Sequence, residues 1–449
     1  MKEACNDLRS FEIKMSNAFE KHLIVYKNRS EYVSGPDTKE VFKEGAISEA
    51  TKKSTKAIKD KFEAGFLENI IIEIKDNKST LQIDLIDERT KSCLEELVES
   101  VTSEVGRALI GLTVMQLCIK AMDSSQSIRL HKGGTTTTAF SWQGGISMRT
   151  LDKNYVTPAL RKYDLLKLNV DGFMMTRSLA ENYPYSLLYK AQLKGARDQW
   201  LEIVELLEAG TTEPLNSLKF FIGLLLNKAE IFIKTSDEML AQVANYLAKE
   251  HTIKRTVVLI KSHIHGSGYA ARLMEISMHA LMQAASEFGA FGLSELKPLS
   301  QMRSANKKHG NIGDIELLED QEIVESWDAK YGKAYLRDEI DEVVEKVADH
   351  QSVGTLGFVT TVQQINEEEV ERKIKDYQAA LGVNIQILAF DDWIQYIFDR
   401  VTKENLASED DLARSWLLAY SESLAQKRRT IAPIDEPCIE WVQELKAKF

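Results

Sequence analysis

The chain has 449 residues, 44% hydrophobic and 28% charged, with only 7 prolines. That is enough for two or three domains and excludes a fibrous or low-complexity protein. A formal net charge of −11 argues mildly against nucleic acid as a partner, because phosphates attract Lys and Arg. The acid is concentrated in 316–325, 338–345 and 367–371, however, and other segments are basic. The start, MKEACNDLRSFEIKM, is charged and lacks the apolar stretch of a signal peptide. The longest apolar run, 108–119, is too short to cross a bilayer. Cys5, Cys93, Cys118 and Cys438 form no CxxC pair, so neither structural zinc nor a disulfide framework is expected. These features predict a cytoplasmic protein with no membrane partner.

Residues 1–90 read as an N-terminal extension with a polar, helix-rich start and one β-hairpin, NIIIEIKDNKSTLQIDLID, turning at 76–79. Residues 91–250 read as chiefly helical, including 94–122 and 216–233. The loop KGGTTTT at 132–138 offers backbone and hydroxyl donors to a phosphate. It lacks GxxxxGK[ST] spacing, so a connector is expected. Segment 147–197 carries Arg149, Lys153, Arg161, Lys162, Arg177, Lys190, Lys194 and Arg197 among Tyr155, Tyr163, Tyr183, Tyr185 and Tyr189. It reads as a basic helical surface, with Arg149, Arg161, Lys162 and Arg177 as candidate DNA contacts. An ordinary solvated surface fits the same pattern.

Residues 251–449 hold the candidate catalytic domain. His263 and His265, two apart in KSHIHGSG, would share a strand face, but no HExxH or third ligand accompanies them. Residues 268–288 have apolar positions every three or four residues and predict an amphipathic helix. Glu275 on it is expected on a solvated face, with an outer carboxylate of the site as the alternative. In NIGDIELLEDQEIVESWDAKYGK, 312–318 and 323–331 read as strands joined by a short polar turn. Asp328 and Lys330 then project to one side, and Asp314 comes close if the hairpin pairs. Two carboxylates and a lysine around one point suit Mg²⁺ and phosphodiester hydrolysis. An acid-x-Lys triplet also arises by chance in a charged chain; Glu73-Ile74-Lys75 after Asp60 is one, with Asp60 in a helical pattern. A helix at 334–348, a strand at 355–362, a helix at 366–380, a strand at 384–390 and closing helices at 410–426 and 437–448 follow. The triplet Lys427-Arg428-Arg429 reads as a surface turn.

Helix, hairpin, strand, helix, strand with Asp314, Asp328 and Lys330 resembles the core of the PD-(D/E)XK nuclease superfamily, with Gly313 where that superfamily has Pro. ISMRTLDKNYVTPAL, DGFMMTRSLAENYPYS, HGSGYAARLMEI, GDIELLEDQEIVESWDAKYGK and EPCIEWVQELKAKF together resemble the SacI type II restriction endonucleases, over about residues 95–449. The resemblance implies an α/β fold with a mixed central sheet flanked by helices and a mainly helical N-terminal half. It implies Asp314 and Asp328 as ligands of Mg²⁺, Lys330 assisting the attacking water, and Lys333 touching the scissile backbone. It further implies double-stranded DNA as substrate, a homodimer with one site per strand, and a cognate DNA methyltransferase. A structure-specific or repair nuclease and a non-cleaving DNA-binding protein remain as alternatives.

Overall fold

A computed structural model describes residues 20–76, 86–100, 104–136, 139–166, 168, 171–191, 193, 195–249, 251–299, 311–347, 350, 352–365, 367–427 and 437–449. The described residues fall into two compact units. One draws on Met1–Ser100, Ala108–Ala159 and Asn169–Ile222; the other on Val101–Arg107, Leu160–Leu168 and Gly223–Phe449.

The first unit contains an antiparallel meander of β1 (His22–Val25), β2 (Arg29–Gly35) and β3 (Thr38–Lys43). Tyr32 and Phe42 pack there with Leu130 and Trp142. This sheet replaces part of the expected helix-rich start. Its alternation is hidden in the sequence because Glu31, in the middle strand, is held by Arg29 at 2.8 Å and Lys39 at 2.6 Å. After α1 (Glu49–Glu63), the predicted hairpin is corrected: its first arm is helix α2 (Phe66–Asp76). Leu67, Ile70, Ile71 and Ile74 are the buried positions, spaced three and four apart, so the helical period outweighs the β-branched composition. Residues 77–85, which carry the expected second arm, lie outside the described residues.

The expected helix 94–122 is two helices, α3 (Glu88–Glu99) and α4 (Glu104–Met122). The Asp87 side chain caps α3 by accepting the Thr90 N–H at 2.9 Å. Residues 108–119 are buried in this core, which accounts for the apolar run. Segment 147–197 is not a helical surface. Only its first part is helical: Met148–Leu151, a π-helical stretch Asp152–Val156 and Thr157–Lys162 run on without a break, and two 3₁₀ turns follow before α5 (Arg197–Ala209). Tyr185 and Tyr189 are core residues packed edge-on to Trp200, with centroids 5.0 and 6.1 Å away. Helix α6 (Pro214–Lys249) outruns the expected 216–233, since buried Phe232, Met239, Val243 and Tyr246 keep the helical spacing going.

The second unit is built on a five-stranded mixed sheet in the order β4-β5-β6-β7-β8. The strands are β4 (Glu295–Leu296), β5 (Ile315–Glu319), β6 (Glu322–Lys330), β7 (Thr355–Thr360) and β8 (Asn384–Ala389). β4, β5 and β6 pair antiparallel; β6, β7 and β8 pair parallel. The turn between β5 and β6 places Asp320 at φ 48° and Gln321 at φ 71°, as a two-residue type I′ hairpin requires. Successive strand residues serve opposite faces. Val359 joins a core with α7 (Ile253–Gly266), α8 (Ala270–Glu287), α11 (Phe390–Lys403), α12 (Glu409–Glu422) and α13 (Cys438–Lys446). Phe358 joins the other core, with α9 (Arg337–Val347) and α10 (Glu367–Leu381). The sheet is thus covered on both faces, as parallel strands demand. At Gly357 a Cβ would lie 2.0 Å from the Trp327 ring, so only glycine lets that indole cross β7.

His263 and His265 sit on helix α7, not on a strand. His263 is buried between the Tyr420 hydroxyl (2.8 Å) and the Trp441 carbonyl (2.9 Å), a structural role. Cys93, Cys118 and Cys438 are free and buried. Among the described residues, no helix is long and apolar enough to cross a membrane.

Candidate active site

The site forms where β5 begins and β6 ends. Glu316, the second residue of β5, is 2% exposed, and its carboxylate accepts the Ile312 N–H at 2.6 Å and the Gly313 N–H at 3.2 Å. Lys297 closes the cluster at 2.6 Å from Glu316 and 2.7 Å from the Asn311 side chain. At Gly313 a Cβ would stand 2.6 Å from Ser326 Oγ and 2.8 Å from the Trp327 carbonyl. Proline at 313 would meet that wall and would lack the N–H that Glu316 accepts, so glycine is what this backbone path requires. The chain then enters the sheet, with the Asp314 N–H donating to Trp327 O at 3.0 Å.

That register brings the acidic groups together. Asp314 Oδ2 accepts the Ala329 N–H at 3.0 Å, and Asp314 and Asp328 lie within hydrogen-bonding reach of each other. Lys330 Nζ stands 2.8 Å from Asp328 Oδ2. Asp314, Asp328 and Lys330 therefore converge. Burial, reinforced by Asp314, pushes the Asp328 carboxyl up to about 8, and Lys330 only partly opposes this. Burial also raises Asp314, with Glu275 adding to the effect. Burial alone would lower Lys330, but Asp328, Asp314 and Glu339 more than offset it, and its ammonium is held above the usual lysine value.

Glu275 is a correction: its side chain is 13% exposed rather than solvated, it pairs with Arg272, and its charge reaches Asp314. The Asp60 and Glu73 alternative lies on helices, with Asp60 paired to Lys56 at 2.8 Å and Glu73 to Lys219 at 2.5 Å. Glu316 escapes a reading of the sequence because it stands in an acidic run; its position two residues after Asp314 was the available signal.

Two buried carboxylates close enough to share a hydrogen bond fit a hard divalent cation, because one of them otherwise needs a proton. Mg²⁺ retains several waters and takes one or two carboxylates, so Asp314 and Asp328 suffice in number. Among the described residues, no group of three or more His, Cys, Asp or Glu is arranged to hold a metal ion.

The candidate DNA contacts are divided between the two units. Arg149 and Arg177 are exposed residues of the first unit, Arg149 lying against Met175 Sδ. Arg161, which donates to the Leu168 carbonyl, and Lys162, 5.3 Å over the Tyr163 ring, belong to the second unit. Lys333 is exposed beyond β6 and pairs with Glu339 at 2.9 Å; its carbonyl accepts the Thr360 hydroxyl at 3.0 Å. Arg197 donates to the Ala191 and Tyr189 carbonyls, so its fork is structural. In the 132–138 loop the Gly134 N–H is taken by Ser141 Oγ at 2.7 Å, as befits a connector; Thr137, Thr138 and Lys194 lie outside the described residues. So do Arg428 and Arg429. Comparison with known proteins finds no family model that matches the chain and no match among curated proteins.

Proposed function

We propose that this protein is a Mg²⁺-dependent type II restriction endonuclease with a PD-(D/E)XK-type core, cutting double-stranded DNA at a short specific sequence. The observation that carries the reading is the convergence of Asp314, Asp328 and Lys330 at one end of a mixed sheet, with a carboxyl displaced to about 8. Displaced pKa values of this size gather at functional sites. A helix, Ala270–Glu287, precedes the hairpin, and a parallel βαβ continuation follows it.

In this reading Asp314 and Asp328 would hold the cation through carboxylate oxygens. When bound, Mg²⁺ would supply neutralisation of the charge developing on the scissile phosphate. Asp328 would hold the cation as the carboxylate, without the proton that burial otherwise favours. Lys330, beside Asp328, would orient the attacking water and stabilise the negative charge that develops. Lys333, beyond the end of β6, contacts the backbone next to the scissile phosphate. Arg149, Arg161, Lys162 and Arg177 contribute phosphate contacts. A palindromic site implies a homodimer, and a cognate methyltransferase would protect host DNA.

The test is a Mg²⁺ digest of a long, unmethylated DNA of known sequence beside Lys330→Ala. Sharp bands lost in the variant support the reading. A smear lost in the variant points to a structure-specific or repair nuclease. DNA bound without cutting by either protein points to a non-cleaving binding protein.

A further inference from the structure

Helix α7 departs from the balance of the rest of the chain. Its 14 residues, IKRTVVLIKSHIHG, contain no Asp or Glu in a protein of net charge −11. Its apolar face is spent inward, with Leu259, Ile260 and Ile264 buried and His263 fixed by Tyr420 and Trp441. The outward face runs through Lys254, Arg255, Val258, Ser262 and His265, all exposed, with half-buried Lys261 beside them. Val258 is 57% exposed, so no part of the second unit covers the middle of this face among the described residues.

The C-terminal end of this face reaches the end of β6. His265 Nδ1 is 3.0 Å from the Tyr331 hydroxyl, and their rings are 5.6 Å apart. Tyr331 directly follows Lys330 at the end of β6 and packs on the α7 side of the sheet, while Lys330 Nζ, on the opposite side, stands 2.8 Å from Asp328. From Lys254 to His265 the helix runs about 16 Å at 1.5 Å per residue, the axial length of about five base pairs. Lys261 contributes less, since Asp391 holds it at 2.5 and 2.7 Å. Arg255 lies over the Tyr246 ring at 5.3 Å, which orients its guanidinium.

We infer that the exposed face of Ile253–Gly266 holds the sugar–phosphate backbone of the duplex flanking the scissile phosphate. The inference deepens the nuclease reading and rests on it. A helix with no carboxylate of its own suits a polyanion, Asp391 beside Lys261 notwithstanding, and a carboxylate-lined site needs such a face nearby to offset its own repulsion of phosphates.

The experiment compares wild type, Lys254→Gln/Arg255→Gln, and a control with the same charge loss, Arg372→Gln/Lys375→Gln on α10. Binding of a 30-base-pair duplex is followed by fluorescence anisotropy in Ca²⁺ at a series of salt concentrations. Two lost phosphate contacts reduce the slope of log affinity against log salt by about 2. Between 50 and 200 mM salt, the first variant should therefore lose about tenfold less affinity than wild type. The control should follow wild type. Equal slopes for wild type and the Lys254/Arg255 variant, or an equal change in the control, would overturn the inference while leaving the nuclease reading intact. Tighter binding of single-stranded RNA than of duplex would also overturn it. No duplex binding by wild type at any salt would remove the nuclease reading itself.

Discussion

Replacing Asp328 with Asn tests the electrostatics of the site without altering its shape. The carboxyl moves from an ordinary value of 3.8 to about 8 on folding, chiefly by burial and next by Asp314. Between those values the folded protein binds more protons than the unfolded chain, so stability falls as pH rises through this window. At about 1.4 kcal/mol per pH unit, the ceiling on this loss is about 6 kcal/mol. The isosteric amide cannot ionise and escapes it. At about pH 3, below both values, the two proteins should match within about 1 kcal/mol, the scale of one altered hydrogen bond. At pH 9 Asp328→Asn should be the more stable by several kcal/mol in the absence of metal. Mg²⁺ at about 100 times its Kd should return about 2.7 kcal/mol to wild type at pH 9 and nothing to the variant. Urea unfolding followed by tryptophan fluorescence reads the transition, since Trp327 shares strand β6 with the site. Equal loss of stability from about pH 3 to pH 9 in both proteins would refute the reasoning.

Further consequences follow from the same geometry. Lys330→Met, which keeps the stem and removes the ammonium, should lower single-turnover cleavage by about 10²–10³ with duplex affinity in Ca²⁺ little changed. Glu316→Gln replaces an acceptor of two N–H groups and of Lys297, and should lower Mg²⁺ affinity about 10–100-fold in calorimetric titration, as loss of a supporting contact does at metal sites. Gly357→Ala drives a methyl into the Trp327 ring at 2.0 Å and should destabilise the second unit by about 1–3 kcal/mol or more in urea. Ile71→Ala should cost about 2–5 kcal/mol, because Ile71 is fully buried on helix α2.

Much of the second unit was legible in the chain itself. The strands around Asp314 and Asp328, the polar turn at 320–321, the helices at 337–347 and 367–381 and the strands at 355–360 and 384–389 follow from periodicity and turn chemistry, which act over a few residues. So did the shared side of Asp328 and Lys330, because strand alternation alone dictates it. Local pattern misled where two periods overlapped. The IIIEI run satisfies strand composition, yet Leu67, Ile70, Ile71 and Ile74 become one helix stripe only when a core is present to cover it. The meander at 22–43 stayed hidden because its charges are neutralised by cross-strand partners that only pairing supplies. Burial was decided by tertiary structure alone. It turned Tyr185 and Tyr189 into core, drew Glu275 toward Asp314, and gave Glu316 three donors around one carboxylate. The sequence determines which groups carry charge; only the packed fold, by excluding water, decides how far Asp328 shifts and what it faces.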